Sequence, residues 1–502
     1  MTTTQRDHPS IIQADGEYLA AIATGRFYPG VLLFRSPDLT RWEQLPHPLE
    51  QVEMPESGIV LDPDLSYVDG VYHLLYGTAL SASESGFADS PICHVRAPSP
   101  HGPWSPPVLL HAKGFHPSLY HESGRSYLLW SEWDHRPGRD SFGGTWAQEF
   151  YRGTRRLTGR AHLVRGGARG ARLHRRAGWY YLVAGGIAVA RSPHLTGPFH
   201  PDPHGALVAE GGPGCLVEGR AGEWWLTAWP EGGCALGSET VVRAVDWAGD
   251  GWPRVGDARP ATGAAAPVPP GGARVPAEPG STARADGRLP AEPELTAPAD
   301  ERPPAEPEPL THTDDFDATE LAFCWQSVRR PPDPGWLSLG ERPGWLRLRA
   351  DESPASRHRV SLLARHQHQD CEFTVLLDAQ PTHFQQLAGL IHYTDHTRWH
   401  WLHLTHHEQL GRCLAVLTSD NGQLAAPADP LPWPNGPVWL RALLQHGELR
   451  FTASADGGSW TGIGPPLPVS RGFLGVCATD LTGARLVCDV DRMSLRPLSS
   501  PR

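Results

Sequence analysis

A strand motif recurs in this chain at intervals of 54 residues, beginning at positions 8, 62, 116 and 170. The copies read HPSIIQADGEYLA, DPDLSYVDGVYHL, HPSLYHESGRSYL and GARLHRRAGWYYL, and a looser fifth copy, PGCLVEGRAGEWWL, starts at Pro213. Each is a β-rich run, a turn carrying Gly70, Gly124, Gly178 or Gly222, and a second strand rich in aromatic residues. A unit of this kind cannot bury its own apolar face, so the copies must stack on one another. Repetition of strand, turn and strand at this period predicts the blades of a β-propeller. Segments between the copies, such as LFRSPDLTRWEQL and VARSPHLTGPFHPDP, supply a further extended run, a Pro/Gly turn and a short strand, which completes four strands per blade. In a propeller the first strand of each blade lines the central funnel. The residues expected to face a ligand are therefore His8, Asp62, His116 and, just ahead of its motif, Arg169.

A chain of 502 residues is too long for one core, and two domains are expected. The repeats span residues 1–257. Residues 258–312 turn to Ala, Pro, Glu and Gly (AAAPVPPGGARVPAEPG), a composition that cannot bury a core and reads as a semi-extended linker. Over 313–498 the β pattern resumes in GWLRLRA, CEFTVLLDA, AGLIHYTD, WHWLHLTHH and FLGVCATD. Many short strands bounded by Gly, Pro, Asn and Asp predict a β-sandwich, so the whole chain is expected to be all-β. Six histidines of that region, His392, His396, His400, His403, His406 and His407, are expected mostly at the surface or an edge, since alternation sets His400 and His403 on opposite faces.

Charge narrows the partners. The formal net charge is −11, with no concentrated basic tail, which argues against a nucleic-acid partner. Lys113 is the sole lysine, so Schiff-base chemistry is nearly excluded. There is no run of 18 apolar residues for a membrane helix, and MTTTQRDHPS has no apolar signal-peptide core. Eight scattered cysteines without CxxC spacing read as reduced thiols, and a cytoplasmic location is expected with no membrane partner.

The motifs together resemble glycoside hydrolase family 43, the β-xylosidase and α-L-arabinofuranosidase group. In the first region the likeness rests on RFYPGVLLFRSPDLTRWEQL, HPSI and HPSL, WYYLV with VARSPHLTGPF, GEWWLTAW and LGSETVVRAVDWAGDGWP. In the second it rests on DDFDATEL, ERPGWLRL, LLARHQ, AGLIHYTD, TSDNG and GVCATDLTG. The resemblance implies a five-bladed β-propeller followed by a concanavalin-like β-sandwich, acting on xylan or arabinan fragments without a cofactor. Such enzymes invert the anomeric carbon with one carboxylate activating water and one carboxylic acid protonating the leaving oxygen, while a third carboxylate tunes the acid. At the base, tuning and acid positions this chain has His8 (with Asp7 one residue earlier), His116 and Arg169. The blade-five His, the LGRET Arg and the WAP Trp fall on Pro213, Ser238 and Leu61. Between Phe150 and Pro201 there are ten arginines and no Asp or Glu at all. Blade four therefore cannot supply the acid, and a guanidinium does not release its proton at working pH.

Carboxylates have instead moved within the funnel. Asp62 opens blade two with Asp64 two residues on, and in an unbroken strand the two share a face; the alternative is that Asp62-Pro63 only shapes the start of a strand. Glu132, Asp134 and Asp140 follow in a loop, as funnel-mouth groups or as solvated charges. One reading is a glycosidase with relocated groups: His8 as base, Asp62 or Asp64 as acid, and Phe27, Tyr28, Phe115, Trp133, Trp146 and Trp229 as sugar-stacking surfaces, each with a packing role as its alternative. A second is a non-catalytic carbohydrate-binding protein in which His8, His116, Arg169 and Arg172 favour an acidic sugar. A third is a glycoside phosphorylase. A metal site from His8, His116 and Asp62 has a suitable composition, but Arg169 opposes a cation and no metal is expected.

Overall fold

The computed structural model describes residues 9–49, 59–79, 90–134, 136, 138, 142–166, 170–185, 188–207, 214–228, 241–259, 311–368, 370–470 and 472–498. Five antiparallel four-stranded sheets follow one another along the chain up to Arg259. Their inner strands are Ser10–Ala14, Ile59–Val68, Phe115–Glu122, Ala171–Arg176 and Gly214–Glu218. Each is hydrogen-bonded to the aromatic second strand of its own motif. The turns explain why the first four copies are so alike. Asp15-Gly16, Asp69-Gly70, Ser123-Gly124 and Ala177-Gly178 all have positive φ at both residues, the type I′ geometry whose twist matches that of the flanking strands. The fifth copy is looser because Glu218 pairs with Trp224 across a longer loop.

Apolar side chains fill the seams between blades rather than one centre. Leu19 and Val31 meet Val60 and Leu74 between blades one and two, and Leu75 and Ile92 meet Leu128 and Phe150 between two and three. Leu129 and Val164 meet Leu173 and Leu182 between three and four, and Tyr181 and Val189 meet Leu226 and Trp252 between four and five. The ring closes where Ile11 and Tyr18 of blade one pack on Val217 and Val242 of blade five. Arg220 adds a bond from Nη2 to the Pro37 carbonyl at 3.1 Å and lies over the Tyr18 ring.

Residues 260–310, most of the expected linker, lie outside the described residues. The C-terminal region is the concanavalin-like β-sandwich: two large antiparallel sheets facing each other over one apolar interior that includes Phe373, Leu390, Leu440, Val476 and Met493. Strand Cys371–Ala379 alternates buried and half-buried residues along its whole length, the period-two pattern that its sequence predicts. The histidine expectation needs correction at two positions. His392 and His403 are buried on opposite faces of one sheet, His392 on the face of Leu390 and Leu402 and His403 on that of Trp401, because both faces are covered; His392 Nε2 meets Gln367 Oε1 at 2.7 Å.

The sandwich docks on blade one. Phe27–Tyr28 pairs with Gln326–Val328 as an added strand, and Phe27 stacks on Phe473 with ring centroids 3.7 Å apart.

Candidate active site

Two inner strands reach the funnel through the same irregularity. The register of Ile59–Val68 slips between Leu61 and Asp64, and that of Phe115–Glu122 slips between Phe115 and Ser118. Each slip holds an X-Pro pair, Asp62-Pro63 and His116-Pro117, with X at φ 49° and 48°. Proline has no N–H to give to a ladder, and the extra residue of a bulge re-aims its side chain. A left-handed conformation at a non-glycine residue costs about 1–3 kcal/mol, so bonds must hold it. They are present: His116 N–H donates to Asp62 Oδ2 at 3.0 Å, and His116 Nδ1 lies 3.0 Å from Asp62 Oδ1. Both side chains line a pocket shared with Ser118, Gly170, Arg172 and His174 and remain partly open, 12% for Asp62 and 19% for His116.

This pairing has a chemical consequence. With Nδ1 turned to a carboxylate, the neutral imidazole carries its proton there and keeps Nε2 as an acceptor. Phe115 packs its ring 5.1 Å from that of His116 and is itself buried. Gly170, at φ +64°, brings the start of blade four past the imidazole; a Cβ at that position would lie 3.5 Å from His116 Cγ, in a conformation that side chains rarely adopt.

Asp64 does something different from Asp62, and the expectation that the two share a face is corrected. The slip between Leu61 and Asp64 breaks the two-residue alternation on which it rested. Asp64 is 4% exposed and sits at a junction of all five blades. It accepts bonds from Ser10 Oγ of blade one at 3.4 Å and Leu119 N–H of blade three at 2.9 Å, and pairs with Arg172 Nη2 of blade four at 3.1 Å. Arg172 Nη1 reaches Cys215 Sγ of blade five at 2.8 Å, and that sulfur contacts the Ile11 carbonyl back in blade one. Burial drives the Asp64 carboxyl pKa up, against the pull of Arg172 and the two donors. His174, half-buried beside Arg172, has its pKa pushed down to about 4 by desolvation and then by that guanidinium.

Ser10, Cys215 and His174 were missed in the sequence, yet a signal for the first two was present. Ser10, Asp64, Ser118, Arg172 and Cys215 are the third residues of the five motif copies. Among the described residues the first positions Asp62, His116 and Gly170 line the pocket, and the third positions Ser10, Asp64, Arg172 and Cys215 are linked to one another across the axis, while Ser118 Oγ donates to the Ala171 carbonyl at 2.8 Å.

Other expected residues fall elsewhere. Phe27 is 2% exposed and spent on the sandwich contact, so its expected role as a sugar-stacking surface is corrected. Tyr28 is buried against His47 at that same junction. Trp146 packs against the cluster between blades two and three. Asp134 pairs with Arg136 at 2.6 Å. His8, Asp7, Arg169, Trp229 and Asp140 lie outside the described residues, as does the side chain of Trp133. Among the described residues no group of three or more His, Cys, Asp or Glu is placed to hold a metal ion.

Comparison with known proteins agrees with this architecture on both halves. Residues 1–253 match the profile of glycosyl hydrolases family 43, and residues 313–496 match that of the beta xylosidase C-terminal concanavalin A-like domain. The chain is 30% identical to a putative beta-xylosidase of Escherichia coli strain K12, covering 98% of this chain and 97% of that one. It is also 30% identical to a beta-xylosidase of Bacillus subtilis strain 168, covering 90% and 88%. The crystal structure of xylan beta-1,4-xylosidase from Bacillus halodurans C-125 superposes with a TM-score of 0.82 at 31% identity over 98% of each chain.

Proposed function

Since the chain belongs to glycosyl hydrolase family 43, we propose that its funnel acts on xylose- or arabinose-containing oligosaccharides with Asp62 and His116 as its proton-handling pair. The observation that carries this reading is the 3.0 Å contact between His116 Nδ1 and Asp62 Oδ1 at the pocket wall. Asp62 orients the imidazole, and His116 Nε2 takes a proton from the water that attacks the anomeric carbon. Asp62 accepts two N–H bonds from His116 and so serves as an acceptor, not as the acid. Among the described pocket residues none is placed as a carboxylic acid for the leaving oxygen. A nitrophenolate departs without a proton and tests this pair by itself, whereas the leaving oxygen of an oligosaccharide requires a proton donor besides this pair.

Release of nitrophenol from aryl β-xyloside and aryl α-L-arabinofuranoside, with and without phosphate, tests this. Turnover should be independent of phosphate and fall by about 10²–10⁴-fold in His116→Gln and Asp62→Asn. Phosphate-dependent turnover would instead identify a phosphorylase.

A second reading, non-catalytic sugar binding, is favoured by the mutual closure of Asp64 and Arg172, which leaves neither for chemistry. Folded protein that binds xylo-oligosaccharide without releasing nitrophenol would establish it.

A further inference from the structure

The ten arginines and absent carboxylates of the segment from Phe150 to Pro201 stand out in a chain of net charge −11, and part of that charge is gathered in one place. Arg96, Arg152 and Arg155 meet at the seam of blades two and three. Arg96 Nη1 donates to the Arg152 carbonyl at 3.3 Å. Arg155 Nη1 donates to Ser105 Oγ at 2.8 Å and to the Pro106 carbonyl at 3.0 Å, and the same Ser105 Oγ accepts the Arg96 backbone N–H at 3.1 Å. Arg152 spans the two hairpin turns, with Nη1 2.7 Å from Asp69 Oδ2 and Nη2 3.0 Å from the Gly124 carbonyl. Neutral acceptors therefore fix two of the three guanidiniums, and Arg96 and Arg155 pair with no carboxylate among the described residues.

The local potential is correspondingly positive. Burial and then Arg96 push the Arg155 pKa down, and Arg155 and Arg96 both help to hold the buried His94 in its neutral form. Arg156 and Arg160, exposed on the outermost strand of blade three, extend the charge outward. Among the described residues three guanidiniums here meet one carboxylate, Asp69, which leaves a net positive charge at the seam that attracts an anion.

Asp69 and Gly124 lie at the far ends of the inner strands from Asp62 and His116. Seven or eight residues of strand at about 3.3 Å each separate the two faces by roughly 20–25 Å. We propose that Arg96, Arg152 and Arg155 form a second carbohydrate site, on the propeller face opposite the funnel, that holds the carboxylate of a uronate-bearing oligosaccharide. The proposal rests on the reading of the funnel as a pentose-oligosaccharide site: an acidic side group on such a chain supplies the planar carboxylate that guanidinium pairs bind in bidentate fashion.

The test is calorimetric titration with a xylo-oligosaccharide carrying one glucuronate side group, beside the neutral oligosaccharide of equal length and inorganic phosphate. Wild type and Asp62→Asn should both bind the acidic sugar at least about tenfold more tightly than the neutral one, as one or two charge-assisted bonds would give. That preference should vanish in Arg96→Glu and Arg155→Gln and shrink as salt is raised from about 0.05 to about 0.5 M. Arg96 is exposed, so Arg96→Glu carries the test if Arg155→Gln fails to fold. Aryl glycoside turnover, measured in parallel, should be unchanged in Arg96→Glu, which separates failure of this site from failure of the funnel reading. Equal binding of acidic and neutral sugars, or a preference that survives Arg96→Glu, would overturn the proposal. Phosphate binding as tight as that of the acidic sugar would assign the cluster to phosphate instead.

Discussion

The propeller and the sandwich use the same kind of strand but keep their polar groups in opposite places. In the sandwich two sheets close on one apolar interior, with Leu390, Leu402, Leu440 and Val476 fully buried. In the propeller the apolar side chains are divided among five seams, and the axis where the blades meet is polar: Ser10, Asp64, Arg172 and Cys215. The difference follows from geometry. Stacked sheets present only side chains to each other, whereas an inner propeller strand is a sheet edge whose unpaired N–H and C=O groups face the axis and need partners. Asp64 takes the Leu119 N–H and Ser118 the Ala171 carbonyl for that reason. The sandwich is held by area, the funnel by a few directional bonds.

That contrast can be broken most severely at Asp64. Asp64→Ala leaves Arg172 without its carboxylate in a buried site, and should cost the propeller about 3–5 kcal/mol in urea unfolding. Replacing both partners, Asp64→Leu with Arg172→Met, should recover most of the loss, because no unpaired charge then remains. In the sandwich, Leu440→Ala should cost about 2–5 kcal/mol by leaving a cavity, and no second substitution of a polar partner should restore it. A recovery at Leu440, or none at Asp64, would erase the distinction.

A smaller effect comes from imidazoles that are buried, His73 and His94, or half-buried, His121. His73, His94 and His121 line the seam of blades two and three, with His73 Nδ1 3.0 Å from His94 Nε2 and His121 Nε2 3.0 Å from Ser66 Oγ. Burial, followed by neighbouring cationic groups, pushes their pKa values down to about 3, about 2 and about 4. The folded protein therefore binds fewer protons than the unfolded chain below the ordinary histidine pKa of about 6.5. Stability contributed by these groups is fully present above about pH 6.5 and is lost as the pH falls toward 4, by up to about 1.4 kcal/mol per pH unit for each histidine. Calorimetry between about pH 6.5 and about pH 5 should show His121→Asn losing roughly 1–2 kcal/mol less than wild type. The buried His392 and His403 of the sandwich, at about 3 and about 4, should give that domain an acid dependence of the same sign.

Much of this architecture was legible from residue types. The Asp-Gly and Ser-Gly turns mark hairpins because few residues tolerate two successive positive φ values, so Asp69-Gly70 and Ser123-Gly124 located their blades unaided. The alternating apolar residues of Cys371–Ala379 likewise placed a sandwich strand. The funnel was harder to read. Asp62 and His116 were picked out by their motif position, but their contact joins residues of separate blades, and period-two logic failed at Asp64 because an X-Pro bulge resets the count. Phe27 was misread as sugar-facing because an aromatic residue has the same composition whether it meets a sugar or Phe473.

What this sequence determined by itself is the local and periodic part: five motif copies, their turns, the all-β class, and which residue types open each blade. Those follow from backbone preferences and side-chain alternation, which act over a few residues. Only the tertiary structure decided which of two aspartates, two residues apart, lines the pocket and which is locked to Arg172. It also decided that arginines from two blades gather on the opposite face. Such outcomes depend on groups 54 or more residues apart being brought within hydrogen-bond distance, and that distance is set by how the blades close into a ring.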